Sequence, residues 1–371
     1  MKIGFIDMIL IVLMFQLISL TPFLIFHKSS CRLSNRILAA FLFAKALCIS
    51  NFLSFRLYEF FYLHFPHSFY FGSSFTLLWG PLLYLYTKSM VMKEFKFSPR
   101  EFLHFVPSAT HFTYLFFKYH RFGADMKRYL LDSGFLSNDY YVWYHYANQT
   151  LFILYTIASF ILVLQYRRQI KQTYASIESI RLSWLLVVLI GFTLKWICDV
   201  WYSLLYSSGN ADLPLAVSRM VLFLFINVMM YEGFKHPVLF CGVSFKLTSR
   251  KASLSETLRE QYAEKLKAFM KVHKPYLNPD ITLVELSEML DMPPRSLSEV
   301  INLSFGQNFY DFINSYRIKE SEQLLADPKP RFKTTLEILY EVGFNSKSSF
   351  HTAFKKNTGM TPTEFKRIHA N

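Results

Sequence analysis

Cysteine is scarce. The four in this chain of 371 residues (Cys31, Cys48, Cys198, Cys241) stand far apart, with no CxxC spacing. That argues against a disulfide framework and against a cysteine-based zinc site. Cys48 and Cys198 fall inside apolar runs, where cysteine behaves as a small hydrophobe. Charge is scarce as well: only 18% of the residues are Asp, Glu, Lys or Arg, against about one quarter in an ordinary soluble domain. No phosphate loop, catalytic triad or metal-ligand cluster is spelled out, so nothing points to an enzyme, a metal or a cofactor. His64, His67, His120 and His145 read as loop histidines that bind nothing. The N-terminal run "MILIVLMFQLISL" lacks the basic start and small-residue cleavage site of a signal peptide, and more apolar runs follow it.

What is abundant is apolar mass, 52% of the chain, with 40 Phe and 23 Tyr. The net charge of +14 is spread unevenly. Residues 1–233 hold 20 basic and 11 acidic groups, and residues 234–371 hold 20 and 15. A greasy part and a charged part therefore meet near residue 234.

A bilayer core of about 30 Å needs about 20 mostly apolar residues in helical form. Such stretches recur at 4–26, 37–55, 69–90, 102–118, 142–165, 182–206 and 213–233, which predicts seven spans. Loops 27–36, 88–101 and 166–181 are rich in Lys and Arg. Loops 56–68 and 207–212 are nearly free of them, and 119–141 is mixed. Lys/Arg excess marks the cytoplasmic side. The alternation predicts an external N-terminus and a cytoplasmic region after the last span. A large soluble helical core would not alternate in this way.

Lys45, Lys195, Asp199 and Arg219 fall inside the predicted spans. Charges there are costly and face the bundle interior or a wet cavity. Lys195 and Asp199 are four apart and can pair on one helix face. Three positive charges against one negative leave a surplus that suits an external ligand with an acidic group. The alternative is a structural ion-pair network.

Past His236–Pro237 comes a Ser/Lys-rich stretch, then "SLSETLREQYAEKLKAFMKVHKPYL", amphipathic by spacing, with Ser255 as N-cap. It can pack on the domain that follows or form the seam of a homodimer. "TLVELSEMLDMPPRSLSEVINLSFG" (282–306) reads as helix, turn, helix, with Asp291–Met292 as the break. "TLEILYEVGF" and "SKSSFHTAFKKNTG" repeat the logic over 335–359, and "NFYDFINSYRIKESEQLLAD" is the long helix between. Two such units can set their second helices in major-groove faces about 34 Å apart along one side of a duplex.

"GFNSKSSFHTAFKKNTGMTPTEFKR" resembles the signature of the AraC/XylS family of transcription regulators, and "LSEVIN…FGQNFYDFINSYRIKES" resembles its other half. The resemblance covers roughly 262–368. The whole layout resembles the membrane-embedded members. It implies a domain that binds double-stranded promoter DNA and alters transcription, with RNA polymerase as a further partner. Leu339 and Ser321 depart from the pattern, where the family often has Ala. On the two recognition helices, Arg295, Ser298, Glu299 and Asn302, then Lys347, Ser348, His351 and Thr352, can reach base edges. Arg317, Lys355, Lys356 and Arg367 are expected on phosphates. Glu299 is acidic on that face, which suggests partly indirect base selection.

The expected fold is thus all-α. A seven-helix transmembrane bundle (1–235), the expected sensor, is followed by a juxtamembrane linker and helix (236–261) and a cytoplasmic DNA-binding domain with two helix-turn-helix units (262–371). The expected place is the bacterial inner membrane. A transporter or enzyme with an appended DNA-binding domain would need repeat symmetry or a dense intramembrane His/Asp/Glu set, and neither is present. A plain nucleoid tether would lack a ligand response.

Overall fold

The computed structural model describes residues 4–26, 32–92, 95–136, 138–177, 182–206, 212–235, 254–326 and 333–369. The exit at His236–Pro237 and most of the Ser/Lys-rich stretch lie outside the described residues. So do the loop charges Lys28, Lys93, Glu94, Glu178 and Arg181. Among the described residues the structure is helical, with one isolated antiparallel bridge. The chain divides into two compact units, residues 1–164 with 182–246, and residues 165–181 with 247–371.

The first unit holds α1 (Phe5–Phe26), α2 (Arg32–Arg56), α3 (Tyr58–His64), α4 (Ser73–Thr76), α5 (Trp79–Val91), α6 (Val106–Leu115), α7 (Ala124–Ser133), most of α8 (Asn138–Ile170), α9 (Ser183–Tyr206) and α10 (Asp212–Lys235). α2 packs on α1 and α5, and α10 packs on α1 and α9. Close approach is built in at Gly191, where an added Cβ would stand 2.2 Å from the Phe225 ring. Asp7, buried near the start of α1, is paired with Arg56 at the end of α2, with Nε 3.0 Å from Oδ1.

Among the described residues, five helices are long and apolar enough to cross a membrane: Phe5–Phe26, Arg32–Arg56, Val142–Ile170, Trp184–Leu205 and Asp212–Met230. The expected spans at 69–90 and 102–118 are segmented instead. Proline is the reason. Pro81 has no N–H to give the Leu77 carbonyl, and the chain turns at Leu77–Leu78 between α4 and α5. Pro99 opens a short 3₁₀ helix through Phe105. Pro107 sits in the first turn of α6, which gives way to a π turn at Phe116–His120. Hydropathy counts apolar side chains and does not register these breaks in the backbone ladder.

The second unit holds α11 (Glu256–His273), α12 (Leu283–Met289), α13 (Pro294–Phe305), α14 (Phe309–Ala326), α15 (Thr335–Glu341), α16 (Lys347–Thr358) and α17 (Pro362–His369). Two cores form. Leu266 and Met270 of α11 join Leu286, Leu297, Ile301 and Phe312 in the first. Leu339, Phe350 and Phe354 gather with Ile318 and Leu325 in the second. α14 belongs to both, so one rigid helix fixes the spacing of the two. Leu339 fills its place as core, and the buried Ser321 hydroxyl is satisfied by the Ile318 carbonyl at 2.7 Å.

Helix starts here are written into the sequence. Thr282 with Glu285 and Thr334 with Glu337 form capping boxes on α12 and α15. Thr361 and Glu364 make the same reciprocal bonds at the start of α17. Each fills amide donors that the first helical turn leaves without partners.

Candidate functional site

The first helix-turn-helix is α12, a turn through Asp291, and α13. Asp291 takes a left-handed φ of +49°, which turns the chain out of α12 and into Pro293–Pro294. Pro294 opens α13, where a missing N–H costs nothing. Leu297, Val300 and Ile301 face the core. Arg295, Ser298, Glu299 and Asn302 share the other side, as their spacing requires. Arg295 is exposed and the other three are half-buried.

Their partners are within the chain. Glu299 accepts a hydrogen bond from the Leu254 amide at 2.9 Å. Asn302 Nδ2 donates to the Ser298 carbonyl at 2.7 Å and to Gln172 Oε1 at 3.0 Å. Gln172 Nε2 donates back to Asn302 Oδ1 at 3.4 Å.

The second helix-turn-helix is α15, a turn through Gly343, and α16. Ser346 caps α16 by accepting from the Ser349 amide at 3.2 Å. Phe350, Ala353 and Phe354 point inward. Lys347, Ser348 and Thr352 are exposed, and His351 is half-buried beside them. Lys355 and Arg367 are exposed. Lys356 is also exposed and pairs with Asp311 at 2.8 Å.

Arg317 is the correction. A surface cation was expected, yet this side chain is 1% exposed. Its Nε donates to the Tyr276 carbonyl at 2.7 Å, and Nη2 donates to the Asn278 and Pro279 carbonyls at 2.8 and 3.3 Å. The guanidinium also lies 5.4 Å from the Phe344 ring. It ties α14 to the 275–279 turn and is withdrawn from the phosphate set. The signal was in the sequence: Arg317 stands four residues after Ile313, on the inward stripe, and its charge masked the pattern.

The same turn explains a glycine. Gly343 has φ +89°, and a Cβ there would stand 2.7 Å from the Leu277 carbonyl and 2.8 Å from that of Tyr276. Nearby, Glu320 accepts from Lys274 Nζ at 2.6 Å and from the Tyr276 hydroxyl at 2.9 Å. Burial raises the Glu320 carboxyl, but these two donors outweigh it and hold the group below its ordinary value. Burial and the Glu320 carboxylate push the Tyr276 phenol up.

Residues 286–368 match the family model described as a helix-turn-helix domain. That match decides the reading of the geometry. The second unit carries a helix-turn-helix domain.

Relatives agree. An uncharacterized HTH-type transcriptional regulator in the cgkA 5' region of Pseudoalteromonas carrageenovora is 29% identical over 125 residues, 32% of this chain and 72% of that protein. Uncharacterized HTH-type transcriptional regulators of Staphylococcus aureus strains COL and MSSA476 are each 31% identical over 91 residues, 24% of this chain. The match spans only 12% of the length of those two proteins. No solved structure matches the chain significantly. The second helices expected of the two helix-turn-helix units are present as α13 and α16. Sequence reasoning missed Gln172, because nothing local to "QIKQTYAS" marks a partner 130 residues away.

The apolar unit brings together the four charges singled out within its helices. Lys45 of α2 is buried, with Nζ 3.0 Å from the centre of the Trp79 ring. Lys195 of α9 lies 5.3 Å from the same ring and is ion-paired with Asp199. Asp199 also accepts from the Ser218 hydroxyl at 2.6 Å. Arg219 of α10 stacks 4.5 Å over Phe52, and its Nε is buried without a hydrogen-bond partner. Three cations thus share one carboxylate.

Proposed function

We propose that this chain is a membrane-embedded, sequence-specific DNA-binding regulator of transcription, with the apolar unit as its sensor. The helix-turn-helix domain and the names of its relatives support the DNA-binding half. One observation carries the membrane half. Of the five long apolar helices, four have only 22–33% of their apolar window buried against protein, and only α2, at 67%, is largely enclosed. Phe15, Leu154, Leu194 and Leu224 lie at least half exposed on the outer faces. Uncovered apolar surface on that scale marks an interaction with something equally apolar, and a bilayer is that solvent.

The direction survives the change in span count. The stretch between α2 and α8 either stays on one side or crosses twice, so its ends face the same side in both cases. Loops 27–36 and 166–181, rich in Lys and Arg, favour an external N-terminus and a helix-turn-helix domain in the cytoplasm, where DNA lies, and loop 88–101 adds to this with seven crossings. The charge cluster is the ligand site in this reading. Its unbalanced positive charge suits an anionic small molecule, since an uncompensated buried charge costs several kcal/mol.

Reporter fusions test the topology. Fusions after residues 175 and 240 should read as cytoplasmic, and one after 135 as external. A fusion after 95 separates five crossings (external) from seven (cytoplasmic). An external signal at 240 sinks the proposal. For the sensor, Lys195→Met and Arg219→Met should abolish the target-gene response to external anionic extracts at normal membrane levels. Parent-like responses from both would remove the ligand site.

A further inference from the structure

The two helix-turn-helix units differ in one respect. On α16, Lys347, Ser348 and Thr352 stand exposed, with His351 half-buried beside them. On α13, Ser298, Glu299 and Asn302 are engaged by the chain itself, and one of the engaging segments comes from between two membrane-type helices. Residues 171–175 follow directly on the end of α8 and precede α9. They belong to the second compact unit and lie as a short strap against its first helix-turn-helix, α12 and α13, and the start of α14. Tyr174 pairs with Thr282 in an antiparallel bridge. The Leu283 amide donates to the Thr173 carbonyl at 2.9 Å, and the Ala175 amide donates to the Ile281 carbonyl at 3.3 Å. The Tyr310 amide donates to the Lys171 carbonyl at 2.9 Å. Leu283 and Tyr310 lie in the first turns of α12 and α14, so the strap supplies acceptors to helix-start amides that the helices cannot satisfy themselves. Ala175 is buried in the first core. From this seat Gln172 exchanges its amide bonds with Asn302.

We infer that residues 171–175 are an autoinhibitory strap that occupies the base-reading face of the first helix-turn-helix and must leave it before that unit can read DNA. The inference rests on the DNA-binding role proposed above. Asn302 is suited to reading adenine with both amide atoms, and both atoms are spent on Gln172 while the strap is seated. Among the described residues no such cover lies on Lys347, Ser348 or Thr352, so the second helix-turn-helix is free to hold DNA while the strap is seated. The strap is continuous with α8 on one side and leads to α9 on the other. A ligand that shifts these helices in the membrane therefore acts on the strap without passing through the 236–253 linker. Binding must differ between the seated and released states for any such switch to work.

The test uses the full chain in phospholipid nanodiscs, selected against a pool of random-sequence duplexes. The parent should enrich one half-site, read by the second unit. Gln172→Ala removes the side-chain contact alone. Ala175→Pro removes a strap amide. Both should enrich a two-part motif with half-sites about one helical turn apart. Gln172→Ala should bind that duplex about five-fold tighter than the parent, the value of roughly one neutral hydrogen bond, and Ala175→Pro at least as tightly. Binding of the second-unit half-site, unchanged in every variant, shows that each protein is folded. Should Ala175→Pro lose that half-site, Gln172→Ala alone decides. If the parent already enriches the two-part motif, with affinity within about two-fold of Gln172→Ala, the strap is only a structural part of the domain and the inference is overturned. If no form enriches any duplex, the DNA-binding reading falls first and the strap with it.

Discussion

Replacing Arg317 with Met separates two roles that a basic residue in a DNA-binding domain can have. Met keeps the length of the side chain and removes its donors. The Tyr276 carbonyl is buried with that residue and would lose a charge-assisted bond of 2.7 Å, worth about 1.5–3 kcal/mol. Asn278 is exposed, so water can replace the bonds to its carbonyl and to that of Pro279, and their loss costs about 1 kcal/mol together. The stacking on Phe344 adds roughly 0.5–1 kcal/mol. The expected destabilisation is about 3–5 kcal/mol, a large share of the roughly 5–15 kcal/mol typical of a domain. Arg317→Lys should recover little, because an ammonium cannot span three carbonyls in the geometry of the guanidinium fork. The assay is urea unfolding of residues 250–371, followed by helical circular dichroism. A loss below about 1 kcal/mol, together with weaker binding to every duplex and a salt slope reduced by about one, would refute the reasoning. That outcome would return Arg317 to the phosphate backbone.

Three further outcomes are expected of the same fragment. Gly343→Ala forces a Cβ into a left-handed position against two carbonyls and should cost about 2–4 kcal/mol, read as a lower urea midpoint at unchanged slope. Lys347→Ala should cost about 1–3 kcal/mol and relax base preference at one position, whereas Lys355→Ala should weaken all sequences alike and flatten the salt dependence. A change of preference from Lys355→Ala alone would mean the contacts were wrongly sorted. Glu320 is held below its ordinary 4.5, so its contribution is complete at neutral pH and is lost as pH falls below that value. Parent stability should therefore drop across this acid window more than that of Glu320→Gln, and equal drops would show that the Lys274 and Tyr276 bonds add nothing.

The sequence by itself determined the local pattern of the helices, whereas the structure divides the chain differently from the expected 1–235, grouping residues 165–181 with 247–371. Apolar runs, loop charges and the capping signals Thr282, Thr334 and Thr361 are local, and local patterns set where helices begin and which face turns inward. Helices α13 and α16, proposed to read DNA, were legible as helices for the same reason, since Leu297 and Ile301, or Phe350 and Phe354, set which side of each turns inward. Tertiary structure decided what depends on distant partners. Proline broke the stretches around Pro81 and Pro107 through the backbone, which hydropathy does not weigh. Arg317 went inside because three carbonyls of the 275–279 turn meet it there, and those carbonyls are invisible in a list of side chains. Lys45, Lys195, Asp199 and Arg219 could be seen one by one along the chain, but only the packing of α2, α9 and α10 makes them one cluster. Gln172 reached Asn302 because residues 171–175 found amides at the starts of α12 and α14 that no helix can satisfy from within, and no spacing in the sequence encodes that meeting.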